Sequence, residues 1–192
     1  PFPVIFALLL NEIKVGSYKR FVQTISYLPT FLSIVIVASM VIDFLSPTRG
    51  MINNILESMG LERIYFMIKP RWFRTIYVGS EIWQRTGFQA IIYLAALSGI
   101  DPTLYEAAHM DGAGRFRMMW SISLPGILPT VVVLFIIKSG NIIRIGFEKV
   151  LLLYNPATYS VADIFSTFVY RKGLVEHNFS YATAVGMFEA IV

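Results

Sequence analysis

The sequence predicts an all-α protein, a polytopic bundle of transmembrane helices. Three observations carry this. Hydrophobic residues make up 56% of the 192 residues and charged ones 15%, with a mean hydropathy of +0.64, whereas a soluble domain carries about 25% charged residues. Phe21 to Ile42 is a run of 22 residues without a charge, and an α-helix needs about 20 to cross a bilayer core of roughly 30 Å. Met118 to Ile137 is a second uncharged run, of 20 residues. A chain inside hydrocarbon must pair every backbone N–H and C=O with itself, and an α-helix does this within one segment.

In chain order, residues 1–10 are apolar but too short to cross, and read as the last half of a span. Asn11 to Arg20 is a short polar connection with Lys14, Lys19 and Arg20. Phe21–Ile42 is the strongest span, closed by Asp43, with Pro29 tolerated inside it. Ser46-Pro47-Thr48-Arg49-Gly50 is a turn cluster. Ile52, Ile55, Leu56 and Met59 then recur at helical spacing until Gly60, which predicts a small surface helix. Trp72 to Gly99 is the next span. Its first half holds Arg74, Glu81 and Arg85, and Thr86 onward is uncharged.

A polar insert follows. Asp101 suits a helix N-cap and Pro102 the first helical position. The spacing predicts a helix from Pro102 to about Met110, ended by Gly112 at positive φ. A second, amphipathic helix carries Phe116, Met119 and Trp120 on one face, with Arg115 and Arg117 off it. The span after it is expected over about Gly126 to Ile145, with Lys138, Asn141 and Arg144 toward its far end. Phe147 to Glu176 is a polar-rich excursion. Tyr154-Asn155-Pro156 makes a turn, Ser160 and Asp163 have capping spacing, and Val161, Ile164, Phe165 and Phe168 mark one face of an interfacial helix. Asn178 to Val192 begins a final span. The chain opens without Met and closes within an apolar segment, so a fragment truncated at both ends is expected. No internal repeat is visible.

Several function classes are excluded. Cysteine is absent, so there is neither a disulfide framework nor a thiolate metal site. His109 and His177 have no ligand spacing, so no metal and no cofactor are expected. No phosphate-binding G-x-x-x-x-G-K-[ST] occurs, and no Ser/His/Asp constellation can be assembled. The chain is therefore not expected to be an enzyme. A net charge of +4 is no nucleic-acid footprint, and basic residues of such a chain meet lipid headgroups or aqueous loops.

Glu81 and Arg85, four apart, share a helix face and can pair. Charges within a span face a bundle interior or a water-filled path, so Glu81 and Arg85 are candidates for lining one, with Gln84 and Asn141 as weaker ones. A structural ion pair near the outer interface is the alternative. Gln89 and Glu189 are weaker candidates.

The polar insert carries one further pattern. Glu106-Ala107-Ala108, three residues, Gly112, nine residues, Ile122-x-Leu124-Pro125 meets all seven fixed positions of the EAA loop found in permease subunits of binding-protein-dependent ABC importers. The chain resembles that family. Tyr93-Leu94-Ala95-Ala96-Leu97, Asp111-Gly112-Ala113 and Leu153-Tyr154-Asn155-Pro156-Ala157-Thr158-Tyr159 resemble its sugar branch, in particular the polysaccharide-type permeases, and Asp163, Ser166-Thr167 and Tyr170-Arg171 add to this.

The resemblance implies one type I importer permease domain over residues 1–192 in a bacterial plasma membrane, with residues 101–125 as a cytoplasmic helix-turn-helix coupling loop. It implies docking on an ATPase through Glu106, Ala107, Ala108, Asp111, Gly112, Ile122, Leu124 and Pro125. Taken alone, Glu106 is a first-turn acid favouring the helix dipole, and Ala107 and Ala108 are good helix formers. The partners implied are a separate ATPase dimer, a second homologous permease, an extracytoplasmic solute-binding protein, membrane lipid and a sugar or oligosaccharide. The reading from another class is an ion-coupled secondary transporter or channel using Glu81, Arg85 and Lys138.

Alternating spans put Asn11–Arg20 and the loop on one side, and 46–71 with 144–177 on the other. Basic residues number five on the loop side and eight on the other, against the positive-inside rule, which weakens for long segments. The loop is placed in the cytoplasm by the resemblance. Cysteine at Arg115 should therefore react with an impermeant thiol reagent only from the cytoplasmic side, and cysteine at Asn155 only from outside. Reaction of both from one side would refute the span assignment.

Overall fold

The structure, a computed structural model, describes residues 1–13, 15–140 and 146–191, with side chains described as far as Phe188. Lys14, Asn141 and Arg144 lie outside the described residues, as does the Glu189 side chain. The regular elements among the described residues are helices: α1 Phe2–Asn11, α2 Gly16–Tyr27, α3 Ile34–Phe44, α4 Met51–Ser58, α5 Pro70–Ser98, α6 Pro102–Met110, α7 Arg115–Met118, α8 Leu124–Ser139, α9 Phe147–Leu153, α10 Tyr159–Ala162, α11 Phe165–Tyr170 and α12 Phe179–Ile191. Packing gathers them into two compact units, Pro1–Phe31 with Glu81–Gly140 and Leu32–Ser80 with Asn141–Val192.

In the first unit α1, α5 and α8 share a core of Ala7, Leu8, Ala90, Tyr93, Leu97 and Ile127. Ala90, Tyr93 and Leu97 recur at i, i+3, i+7, so they form one buried stripe of α5. On another side of α5, α2 approaches so closely that a Cβ on Gly87 would lie 2.0 Å from the Ser26 carbonyl oxygen. A small residue here lets two backbones meet, a common device between membrane helices. The Thr30 hydroxyl donates to the Gln84 carbonyl oxygen at 2.6 Å, and Phe31 packs edge-on to Phe88.

The second unit is centred on Ala38 of α3, Phe73 of α5, Val150 and Leu153 of α9 and Ala162 of α10. Fully buried Asn53 ties its loops: its amide donates to the Ser46 and Ile64 carbonyls at 3.0 Å, and its oxygen accepts from Ile64 N–H at 2.8 Å. Gly60, at φ +77, ends α4 as the spacing predicts. Lys149 is buried with its ammonium 5.8 Å from the Tyr77 ring centre, a cation–π arrangement.

Three expectations are corrected. Phe21–Ile42 is not one straight helix. It breaks after Tyr27 into a 3-10 turn, Leu28–Phe31, and restarts at Ile34, where the Ser33 hydroxyl accepts from Ile36 N–H at 3.3 Å. Pro29 lacks the N–H that a continuing helix needs, and Ser33 offers a new N-cap. Only together do the two parts meet the length and apolarity of a span.

The second correction concerns the span expected from Gly126. One continuous helical run takes in Arg115–Ser139, 25 residues, and is long and apolar enough to cross a membrane alone. The supposed separate loop helix is its first turns. A π turn at Met119–Ser123 joins them. Pro125 crowds the carbonyl four residues back, and a wide turn there relieves that crowding.

The third is the capping pair. Asp163 does not sit inside a helix begun at Ser160. It lies between α10 and α11, where the Thr167 hydroxyl donates to it at 2.8 Å and Arg171 pairs with it. Ile164 is extended, so Val161 and Phe165 fall on different helices, and Thr167 Oγ1 caps α11 by accepting from Ile164 N–H at 2.9 Å.

Gly87 and Gly79 give an internal comparison on α5. Gly87→Ala forces a shift of α2 and should cost about 1–3 kcal/mol. Gly79→Ala meets nothing within 4 Å and should be neutral or stabilising by up to about 1 kcal/mol. Thermal unfolding of the two variants in detergent checks this; equal melting temperatures would contradict the close approach.

Candidate functional site

The loop folds as its residues dictate. Asp101 Oδ1 accepts from Thr103 N–H at 2.9 Å, and that backbone hydrogen bond holds the carboxyl below its ordinary pKa. Pro102 occupies the first turn of α6, where no N–H is needed. The helix closes with Gly112 at φ +75. Gly112 N–H donates to the His109 carbonyl at 3.0 Å and Ala113 N–H to the Ala108 carbonyl at 2.9 Å, which satisfies the last carbonyls in the manner of a glycine C-cap. Gly114 then heads the long run through α7 and α8.

One side-chain bond ties α6 to that run. The Tyr105 hydroxyl lies 2.9 Å from the hydroxyl of Ser123, a residue only 1% exposed within the π turn. The next residue, Glu106, faces solvent and forms no ion pair among the described residues. Leu104, Met110, Phe116 and Trp120 are exposed as well, Met110 at 88%.

The expected coupling residues separate into two groups. Glu106, Ala107, Asp111, Gly112 and Pro125 are exposed, and Ala108 is half-buried. Ile122 is half-buried in the π turn, and Leu124 packs against the core of the first unit. These two place the loop on its helix rather than face outward.

Glu81 and Arg85 do pair, Arg85 Nε to Glu81 Oε2 at 2.7 Å. Gln84 is buried at 6% exposure, so it does not share their open face. Sequence reasoning missed the Tyr105–Ser123 tie, since eighteen positions separate the two residues. It also missed what Tyr154, Tyr159, Asp163, Thr167 and Arg171 do. The Arg171 guanidinium pairs with Asp163 and lies 4.4 Å from the Tyr159 ring centre, and Tyr159 packs against Tyr154 at 4.8 Å. Asn155 Nδ2 donates to the Met67 carbonyl at 2.7 Å. This cluster holds the second unit's loops together. Its signal in sequence is faint, because Ile164 interrupts the helical period between Asp163 and Arg171.

Comparison with known proteins places this architecture. The family described as "Binding-protein-dependent transport system inner membrane component" matches residues 1–170. The chain belongs to this family. Among relatives of this inner-membrane component are the polygalacturonan/rhamnogalacturonan transport system permease protein YteP of Bacillus subtilis (strain 168), 49% identical over all 192 residues, and Protein LplB of the same organism, 47% identical. The chain spans 60% of the length of each. A solved bacterial ABC transporter that imports the acidic polysaccharide alginate contains a chain 50% identical, with a TM-score of 0.95 covering all of this chain and 67% of that one. A second structure of a bacterial alginate ABC transporter, in complex with a periplasmic protein carrying an alginate pentasaccharide, matches with the same TM-score of 0.95. The all-helical importer-permease fold is thereby established.

Tyr105→Phe removes the tie between α6 and the π turn and leaves the Ser123 hydroxyl buried. It should lower local stability by about 1 kcal/mol, read as faster amide hydrogen exchange over 103–110 with exchange in α8 unchanged. Unaltered exchange in α6 would show that the contact carries no anchoring role.

Proposed function

We propose that this chain is the membrane-spanning subunit of an ATP-driven importer for an acidic polysaccharide or its oligosaccharides. Both compact units would belong to one permease domain, with residues 101–125 as the joint to a separate ATPase. The observation that carries the reading is the loop itself. All seven fixed positions of the EAA pattern fall on a capped helix, a glycine turn and the head of a 25-residue helix. A load on α6 enters that helix through Tyr105 and Ser123 without crossing a flexible linker.

The relatives support the substrate class. YteP is named for polygalacturonan and rhamnogalacturonan, and the solved transporters for alginate. The shared chemistry is a sugar chain bearing carboxylates. An extracytoplasmic binding protein would deliver it, a second homologous permease would complete the path, and an ATPase dimer would receive the two loops. ATP binding can shift such an assembly only as far as the ATPase engages its states differently, so a modest contact at Glu106 is enough to govern transport.

Glu106→Lys reverses an exposed charge and Gly112→Asp puts a side chain at positive φ, a strain of about 1 kcal/mol or more. Both variants should insert normally, yet lose substrate-stimulated ATP hydrolysis and uptake, with less ATPase recovered on co-purification. Normal uptake with normal ATPase recovery in both would remove this loop from the coupling role. Competition of uptake by an amino acid and not by an oligogalacturonate would overturn the substrate class.

A further inference from the structure

One face of α5 carries a polar stripe. Glu81, Arg85 and Gln89 follow at i, i+4 and i+8, so they lie above one another on the helix. The buried stripe Ala90, Tyr93 and Leu97 faces another way, into the core of the first unit. The Arg85 charge is answered by Glu81. At the end of the stripe the Lys138 ammonium of α8 donates to the Gln89 amide oxygen at 2.7 Å. Among the described residues Lys138 forms no ion pair, so a neutral amide presents a full positive charge.

The depth of this group matters. Gln89 stands nine residues before the loop end of α5 and Lys138 fourteen residues beyond the start of α8, about 14 and 21 Å by helical rise. In a core of about 30 Å counted from that level, they meet near the middle. An ammonium and a guanidinium–carboxylate pair set into a lipid-facing surface at that depth are costly, and such groups face a water-filled path or a protein partner instead. A lysine in the last turn of a helix also favours the helix dipole, but that role needs no amide partner on a second helix.

We propose that Lys138, held by Gln89 at the head of the Glu81–Arg85–Gln89 stripe, is the contact for a substrate carboxylate in the translocation path. The inference rests on the reading of this chain as the permease of an acidic-saccharide importer, and names the residue that would favour an anionic sugar there. Charge complementarity selects the occupant: a carboxylate can accept hydrogen bonds from both the ammonium and the amide N–H₂ of Gln89, whereas a neutral sugar hydroxyl leaves the positive charge unanswered.

The absence of cysteine from this chain makes a charge-rescue test direct. The complete transporter, with cysteine-free partner subunits and binding protein, is reconstituted in proteoliposomes and ATP-dependent uptake of trigalacturonate is measured. Lys138→Cys should lower uptake about tenfold, the scale of one charged hydrogen bond. Aminoethylation of the thiol, which rebuilds an ammonium on a chain of similar length, should restore most of it, and methylation should not. Gln89→Leu, which keeps the charge but removes its holder, should lower uptake a few fold. Uptake by Lys138→Cys at the wild-type rate, equal rescue by both reagents, or failure of the variant to assemble would overturn the proposal. So would a defect present in phosphatidylglycerol vesicles and absent in phosphatidylcholine, which would assign the lysine to anionic lipid headgroups. A wild-type transporter that takes up no trigalacturonate would instead refute the importer reading itself.

Discussion

Hydrocarbon offers the backbone nothing to bond with, and the rest of this structure depends on that constraint. Every element within the apolar segments must be a helix, and every break needs a replacement partner for the groups it frees. The breaks are met in this way. At Tyr27–Ser33 a 3-10 turn and the Ser33 hydroxyl take over from the interrupted helix. At Met119–Ser123 the chain widens to a π turn ahead of Pro125 and keeps its helical path. In the excursion outside the apolar segments, between α10 and α11, the extended residues Asp163 and Ile164 are likewise held by Thr167 and Arg171.

The unbroken run from Arg115 to Ser139 changes how the loop can act. In the coupling role proposed above, a separate loop helix would meet its span through a hinge and lose force in its bending, whereas a continuous helix would act as a lever. Its attachment to α6 is local: a glycine turn closed by two backbone hydrogen bonds, and one hydroxyl pair at Tyr105 and Ser123. The exposed Leu104, Met110, Phe116 and Trp120 lie around this joint, so the surface suited to a partner and the rigid connection share the same few residues.

The two units are held by different chemistry. The first closes on small residues: Gly87 admits the Ser26 backbone, and Ala7 and Ala90 are fully buried. Close backbone approach and dispersion can bind helices where lipid tails supply no hydrophobic drive. The second is tied by polar side chains to backbone carbonyls, with Asn53 and Asn155 bonding across loops and Thr167 capping its own helix. A buried, fully bonded amide fixes one loop conformation, because any other leaves it unpaired.

Much of this was legible in the sequence. Composition alone demanded membrane helices. Asp101, Pro102, Gly60 and Gly112 fixed the ends of their helices, because caps and positive-φ turns are settled by neighbours within a few residues. The loop pattern named the family, and the Glu81–Arg85 pair followed from a four-residue spacing. What sequence could not decide were contacts between distant segments. Pro29 reads the same in a kinked helix and in a broken one, and only the packing around it chooses. Gly87 looks like any helical glycine until Ser26 comes against it. Gln84 and Arg85 are adjacent and both polar, yet one is buried and the other open, since the segments that arrive against α5, and not its period, determine which face is covered. Local chemistry is written residue by residue, whereas burial and close approach depend on which other segment arrives, and that is decided only when the tertiary structure closes.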